Sequence, residues 1–136
     1  LKLDQIVPNG GILTTGPVVR TTNNNSIVAK ILNNTDSNVQ GEVRIYDITN
    51  CNKQTIAAVT RNFDIDSKCS EDFFVPKNQF ENNKIPAQYE VEYTGIVPGV
   101  YVFTSAITAA NPDPQNPNLS PENTFRHAEH VPQIDP

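Results

Sequence analysis

The sequence contains no methionine and no tryptophan, and it has only two cysteines and a 7% share of aromatic residues. No apolar run approaches the roughly 20 residues that a membrane-spanning helix needs, and no segment of helix length shows an apolar period of 3.6 residues. Two cysteines in 136 residues are also too few for a disulfide scaffold. We therefore expect neither membrane insertion, nor a helical bundle, nor a fold held together by disulfide bonds.

Charged residues are also scarce, at 18% of the chain against about 25% in typical domains. The net charge is −5, and the 10 lysine and arginine residues are scattered along the sequence. Nucleic-acid affinity comes largely from clustered lysine and arginine side chains. We therefore expect no nucleic-acid partner.

Asparagine and proline are abundant, with 17 and 11 residues respectively. These residue types favour turns, and the composition is typical of strands joined by turns rather than of packed helices. A chain of this length forms one domain, which buries roughly two-thirds of its unfolded surface. The sequence can therefore build a real hydrophobic core.

Two alternating segments predict a pair of strands with one buried face. The stretch SIVAKILNNTDSNVQGEVRIYDI is typical of two strands around a polar turn at residues 33–38. An antiparallel strand with one solvated face has a period of two residues. The residues predicted to share a face are Ile27, Ala29 and Ile31 on the first strand, and Val39, Gly41, Val43 and Ile45 on the second.

Further strands are predicted on both sides of this pair. The segments are PVVRT before it, and QTIAAVTRNFDI, SEDFFV, QYEVEYTG and VYVFTSAIT after it. In QYEVEYTG, Tyr89, Val91 and Tyr93 alternate with Glu90 and Glu92. About seven strands at this spacing predict an all-β fold, namely an immunoglobulin-like or jelly-roll β-sandwich of antiparallel strands.

The pattern divides the chain into three parts. Residues 1–16 form an N-terminal extension, residues 17–110 the β-sandwich domain, and residues 111–136 a C-terminal tail with six prolines. The chain begins at Leu1 without methionine, which suggests a trimmed or partial chain. Both extensions are expected to dock, either on their own sandwich or on a neighbour.

The N-terminal extension carries two apolar pairs, which are separated by a turn at residues 8–11 and followed by a flexible joint at residues 14–16. An extended peptide can add to an open sheet edge, where its alternate side chains fill pockets that fix the register. We predict that the apolar pairs are assembly anchors, and we expect them to dock on a neighbouring subunit rather than on their own sandwich. These anchors are Ile6, Val7, Ile12 and Leu13.

Signatures of catalysis and metal binding are weak. The side chains of HAEH, residues 127–130, could meet one ion only across a bend. The acidic stretch DIDSKCSED, residues 64–72, lacks the glycine and regular spacing of an EF-hand loop. No serine or cysteine has a histidine nearby in a pattern that would activate it. We predict no enzymatic activity, no metal site and no cofactor.

Cys51 and Cys69 lie in predicted turns on either side of QTIAAVTRNFDI. If that segment is one strand, about 12 residues at roughly 3.3 Å each place the cysteines on the order of 40 Å apart. A disulfide needs Cα atoms within about 7 Å, so an internal bridge requires a hairpin with a turn at Thr60-Arg61-Asn62. Three alternatives stay open: two free thiols, an internal disulfide, or a disulfide between successive subunits.

Three segments carry a family resemblance. VRIYD, PGVYVFTSA and NTFRHAEHV resemble small β-sandwich proteins of spore-forming Gram-positive bacteria, some of which are associated with the spore or cell surface. The resemblance spans residues 26–130 and implies no catalytic residues. More loosely, a sandwich with an N-terminal extension is similar to subunits of bacterial fibres such as pili and endospore appendages, in which an extended segment completes a neighbour's sheet.

The functional hypothesis follows from this architecture. An extension that docks on a neighbour makes a heterologous contact, and its repetition gives an open polymer unless the rotation closes a ring. We therefore expect a structural subunit of a self-assembling extracellular fibre, appendage or surface layer, located outside the cell or on the cell or spore surface. The alternative is a secreted binding or adhesion module that recognises a carbohydrate or a host protein through loops at one end of the sandwich.

Overall fold

The computed structural model describes residues 11–21, 24–56, 59–107, 119–120 and 123–133. These residues include ten strands and single turns of 3-10 helix at Lys77–Gln79, Glu81–Asn83 and His127–Glu129. The strands are β1 (Gly11–Thr14), β2 (Val18–Val19), β3 (Ser26–Asn33), β4 (Val39–Asp47), β5 (Gln54–Thr55), β6 (Arg61–Ile65), β7 (Ser70–Pro76), β8 (Gln88–Ile96), β9 (Val100–Ile107) and β10 (Val131–Gln133).

The strands form two sheets in which every pairing is antiparallel. The larger sheet has the order β10-β1-β8-β4-β5, with β2 also paired to β8 and β6 also paired to β4. The smaller sheet has the order β7-β3-β9. The predicted all-β sandwich of antiparallel strands is confirmed, with ten described strands instead of about seven.

The core lies between the two sheets and is built from the predicted alternation. The inward residues of β3 and of β4 are buried, apart from the half-buried Gly41. Complete burial of one aliphatic side chain stabilises the fold by roughly 1.5–3 kcal/mol. The buried residues that the alternation predicted on these two strands are Ile27, Ala29, Ile31, Val39, Val43 and Ile45.

Two glycines allow β4 and β8 to approach closely. A Cβ added to Gly41 would lie 2.2 Å from the carbonyl oxygen of Thr94, and one added to Gly95 would lie 2.1 Å from the carbonyl oxygen of Gln40. Gly95 also has a φ of +72°, which side chains other than glycine rarely adopt. Any side chain at these positions would push the two central strands apart.

The segment QTIAAVTRNFDI is interrupted, so the prediction of one continuous strand is wrong. It supplies β5 and β6, which both pair with β4 but are separated by residues 56–60. The N–H of Val59 donates to the carbonyl oxygen of Ile56 at 3.1 Å, which turns the chain inward. Val59 is fully buried as a result, and it joins the core cluster.

Parts of both predicted extensions belong to the sandwich. Strand β1 lies within residues 1–16 and β10 lies within residues 111–136, and the two strands pair with each other. Residues 1–10 lie outside the described part of the chain. Among the described residues, no helix has the length and apolar character needed to cross a membrane.

Candidate functional site

The predicted anchors Ile12 and Leu13 lie in β1, inside the chain's own larger sheet. Strand β1 pairs with β8 on one side and with β10 on the other. Leu13 lies opposite Tyr93 and packs against the core. The other two predicted anchors, Ile6 and Val7, fall outside the described residues.

Two threonines at the end of β1 fasten it to β8. The Thr14 hydroxyl donates to a carboxylate oxygen of Glu90. The Thr15 N–H donates to the carbonyl oxygen of Val91 at 3.0 Å, and the Val91 N–H donates back to the Thr15 hydroxyl at 3.1 Å. The Gly16 N–H donates to the Thr14 hydroxyl at 3.0 Å, so the joint predicted at residues 14–16 is a set of specific contacts.

Glu90 and Glu92 are buried beneath a polar network on the outer face of the larger sheet. Glu92 is 2% exposed and Glu90 is 9% exposed. The Lys53 ammonium lies 2.6 Å from Glu90 Oε1 and 3.8 Å from Glu92 Oε2. Glu92 Oε1 also accepts a hydrogen bond from the Tyr46 hydroxyl at 2.8 Å and lies 3.4 Å from Arg44 Nη1. Each buried carboxylate thus has a cation and a neutral donor.

The network changes the proton affinity of its members. The hydrogen bond to Glu42 raises the pKa of Arg44, although burial opposes the shift. For Lys53, burial lowers the pKa, but the hydrogen bond and charge of Glu90 outweigh it and the pKa is raised overall. Burial, followed by the hydrogen bond to Glu92, raises the pKa of Tyr46. The cations therefore stay charged at neutral pH, and the network stabilises the junction of β1, β8 and β4.

Residues 123–133, which we call the closing segment, cover the free edge of β9. The N–H of Thr104 donates to the carbonyl oxygen of Phe125 at 2.9 Å. In return, the N–H of Phe125 donates to the carbonyl oxygen of Thr104 at 2.7 Å. Two residues earlier in β9, the N–H of Val102 donates to Nδ1 of His127 at 3.1 Å. A side-chain nitrogen here takes the place of a neighbouring strand's carbonyl oxygen.

His130 joins the closing segment to the core. Its ring is 6% exposed and packs edge-on against Tyr93 with a centroid distance of 5.6 Å. Nδ1 lies 2.7 Å from the carbonyl oxygen of Arg126, which can only accept, so Nδ1 carries the proton. Nε2 lies 2.8 Å from the Thr104 hydroxyl, which also contacts the Tyr93 hydroxyl at 2.5 Å. Burial lowers the pKa of His130 and so favours the neutral ring, in which Nε2 accepts from the Thr104 hydroxyl.

Asn123 fastens the start of the closing segment to the opposite sheet. Its side chain is buried, donates to the carbonyl oxygen of Val19 at 2.8 Å and accepts from the N–H of Thr21 at 3.3 Å. At the other end, β10 pairs with β1. The closing segment therefore bridges the two sheets along one side of the sandwich.

Pro132 protects the outer edge of the larger sheet. It lies opposite Leu13 in the middle of β10. Because proline has no N–H, its nitrogen must face away from β1 in this antiparallel pair. The edge that β10 presents to solvent therefore lacks a donor at its centre, which discourages the addition of a further strand there.

The two cysteines are free and exposed. Cys51 follows the β4 end at Asp47, while Cys69 precedes β7 near the opposite end of β4. The hairpin alternative with a turn at Thr60-Arg61-Asn62 is wrong, because Arg61 and Asn62 belong to β6. A disulfide between successive subunits stays a prediction.

Metal-capable side chains are dispersed in the described parts of the chain. No group of three or more histidine, cysteine, aspartate or glutamate side chains there could hold a metal ion. In the HAEH stretch, His127 faces Val102, His130 faces Thr104, and Glu129 accepts from the N–H of Arg126 at 2.9 Å.

A groove of about 730 Å³ opens at one end of the sandwich. The loop after β4 and the connection between β7 and β8 form its walls. Its polar lining includes Thr49, Asn50 and Asn82, and its apolar floor includes Phe80 and Ile85. This is the end-loop region that a binding module would use.

Comparisons with protein-family models, with curated proteins and with solved structures found no match to this chain.

Sequence reasoning missed the roles of His130, Asn123 and Glu92. Each is a polar residue that becomes buried only when distant segments meet. One signal was available for the closing segment, since Phe125 and Val131 are apolar residues on either side of the two histidines in an otherwise polar tail. Nothing in the local pattern of β8 distinguishes a buried glutamate from a solvated one.

Proposed function

We propose that this protein is a non-enzymatic structural subunit that joins copies of itself into an extracellular fibre, appendage or surface layer. The observation that supports the proposal is the position of β1. It is the first of the described strands, and it fills an interior position of the larger sheet, between β8 and β10. A strand in such a position that is followed by a glycine joint at Gly16 can be exchanged between copies.

The acceptor for an exchanged strand is the edge of β8. Without β1, the backbone groups of β8 that now pair with it would be open, as would the contact surface of Tyr93 for Leu13. The Thr14 and Thr15 contacts to β8 are the same whichever copy provides the threonines. Main-chain hydrogen bonds would give affinity, and the side-chain contacts would fix the register.

The joint between β1 and β2 is suited to a change of direction. Gly16 has a φ of +66°, and a Cβ added there would meet no atom within 4 Å. A change of backbone angle at this residue would send β1 to a neighbour while β2 stays on its own β8. Donor and acceptor surfaces differ, so the contact is heterologous and repeats into an open polymer.

The register of β1 and β10 provides the test. Ile12 lies opposite Gln133, and paired residues in an antiparallel sheet have Cα atoms about 5.5 Å apart, within reach of a disulfide. In a background with Cys51→Ser and Cys69→Ser, one subunit carries Ile12→Cys and another carries Gln133→Cys. The two are mixed under assembly conditions, oxidised, and analysed by non-reducing electrophoresis and negative-stain microscopy. We expect cross-linked heterodimers and polymers.

The control separates exchange from random collision. Subunits with Ile12→Cys are mixed with subunits that keep Cys51 as their only cysteine, because Cys51 is exposed but belongs to a turn that does not pair with β1. Cross-linking in this mixture should be at least about tenfold weaker. Equal cross-linking in both mixtures, or a protein that stays monomeric under all assembly conditions, would contradict the proposal.

The end groove favours a second candidate, a secreted binding module for a carbohydrate. Its polar lining includes the neutral side chains of Thr49, Asn50 and Asn82 beside four charged ones, and all of these offer donors or acceptors for hydroxyl groups. Titration with a panel of neutral oligosaccharides should then shift the amide resonances of these residues and leave those of β9 unchanged. The absence of any shift at millimolar sugar would remove this candidate.

A further inference from the structure

The outer edge of β9 in the smaller sheet is covered by residues that are distant from it in sequence. On its inner side β9 pairs with β3 along its whole length. On its outer side, the N–H groups of Val102 and Thr104 bond to His127 and Phe125 of the closing segment. An uncovered strand edge is a template for another chain. Leu119 and Ser120 cover the end of this edge near Ile107, so the closing segment determines whether the edge at Val102 and Thr104 is open.

Both histidines hold the closing segment in their neutral form. His127 accepts the N–H of Val102 through Nδ1, and a protonated Nδ1 has no lone pair to accept it. His130 is 6% exposed beside the Tyr93 ring, where a positive charge would lose its hydration. Proton uptake breaks one hydrogen bond directly and places an unfavourable charge in the core.

We propose that the closing segment is a pH-sensitive strap on the outer edge of β9, which it covers at neutral pH and leaves when His127 and His130 become protonated. Release of the segment does not depend on the exchange of β1.

The surroundings of the two rings favour the neutral form. Burial lowers the pKa of His127. Burial is also the largest effect on His130 and lowers its pKa. The backbone hydrogen bonds of Arg126 and His127 oppose this shift, the charge of His127 adds to it, and the charge of Glu129 opposes it. From the packed strands, the described groups against the rings are the hydroxyl of Thr104 and the rings of Tyr93 and Tyr101. On the segment itself, the charged neighbours are Arg126 and Glu129.

The direction of the pH effect follows from linkage. The released segment binds protons with an ordinary histidine pKa of about 6.5, whereas the docked segment resists protonation. The docked state is therefore fully favoured above pH 6.5 and loses its advantage as the pH falls through the lowered pKa values. From pH 7.5 to pH 5.0, the release equilibrium should rise by up to about 30-fold for one histidine and on the order of 1000-fold for both.

Amide hydrogen exchange on the purified protein tests the release. Exchange rates at pH 7.5 and 5.0 are measured by NMR and divided by the rates of an unstructured peptide at the same pH. The protection of Val102, Thr104 and Phe125 should fall at pH 5.0 by up to the factors given above. Phe103 is the internal reference, because its N–H faces β3 by the alternation of the strand, and its protection should change much less.

Two variants separate the histidines from other acid effects. Asparagine and glutamine offer neutral acceptors, so His127→Asn with His130→Gln should show equal protection at both pH values. His127→Asn alone should retain a drop of no more than about 30-fold, due to His130. Glu129→Gln is the control for the carboxylate and should keep the wild-type response. Unchanged protection in the wild type, or an undiminished drop in the double variant, would overturn the proposal.

Discussion

The two long sides of the sandwich are closed by different parts of the chain. On one side, β6 of the larger sheet runs into β7 of the smaller sheet through the turn Asp66–Cys69, where the N–H of Cys69 donates to the carbonyl oxygen of Asp66 at 3.1 Å. On the other side, β9 is joined to the larger sheet by the closing segment and β1, from the two ends of the described chain. One closure is local in sequence and the other is not.

This difference predicts where the molecule opens first. A local turn keeps β6 and β7 together whenever either sheet is formed, and it costs little chain entropy. The closing segment must be held by individual contacts, among them two neutral histidines and one asparagine. Segments held by few contacts open at free energies below that of global unfolding. The terminal side is therefore expected to open below the free energy of global unfolding, and it is the side on which both proposals above depend.

The largest expected contrast is between two phenylalanines, one on each side. Phe63 of β6 is 2% exposed in the core, and Phe63→Ala should cost about 3–5 kcal/mol of the free energy of unfolding. Phe125 of the closing segment is only partly buried, and Phe125→Ala should cost about 1–2 kcal/mol. Urea unfolding measures both values.

Amide hydrogen exchange shows which part of the fold each of the two substitutions destabilises. Phe63→Ala should lower the protection of all core amides together, because it weakens the whole sandwich. Phe125→Ala should lower that of Val102 and Thr104 and leave the β3 amides largely unchanged. Equal loss over the whole chain in both variants would show that the two sides open as one unit.

A second pair of buried residues, one on each side, should show the same contrast with smaller changes in the free energy of unfolding. Asn33 lies at the β6 side and donates to the carbonyl oxygens of Ser37 at 2.7 Å and Ile65 at 2.9 Å. Asn123 bridges the terminal side through Val19 at 2.8 Å. Each change to alanine removes several hydrogen bonds made by a fully buried asparagine side chain and should cost about 1–3 kcal/mol.

The exchange pattern again distinguishes the sides. Asn33→Ala should reduce protection globally, whereas Asn123→Ala should reduce it in the closing segment and the β9 edge. Asn62→Ala is the control, since Asn62 is an exposed residue of β6 and its loss should change stability by less than about 0.5 kcal/mol. A global loss in Asn123→Ala would mean that the terminal closure is integral to the fold.

The part of the sandwich that is determined by local sequence pattern could be predicted from the sequence. The alternation in β3 and β4 identified Ile27, Ile31, Val43 and Ile45 as core residues, because a period of two directly reflects which face is buried. The interruption at Val59 was not predictable, since an apolar residue that turns inward between two strands has the same local pattern as one within a strand.

The contacts that close the terminal side of the sandwich could not be predicted from sequence pattern alone. Prolines and polar residues around Asn123 are typical of a disordered tail, and only contact with Val19 and Thr21 gives its side chain partners. Ile12 and Leu13 were identified as residues that seek a sheet edge, but the sequence does not specify whose edge it is. Own and neighbouring sheets offer the same hydrogen bonds, so the choice depends on the free energy of the joint and of the closing segment.

The smallest expected effect concerns that joint, and it contrasts Gly16 with Lys68. Both have positive φ, +66° and +62°, on the terminal side and in the turn between β6 and β7 respectively. Gly16→Ala should cost about 1 kcal/mol, because alanine is strained in this conformation, and Gly16→Asn should cost less. Lys68→Gly relieves the same strain but loses the hydrogen bond from Lys68 Nζ to the carbonyl oxygen of Asn34 at 2.9 Å, so its net effect should stay below about 0.5 kcal/mol. Thermal unfolding measures all three, and an alanine at position 16 as stable as asparagine would show that the joint does not require the left-handed conformation. In that case the proposed exchange of β1 would not need a hinge at Gly16, and it would have to depend on the contacts of Thr14 and Thr15 with β8.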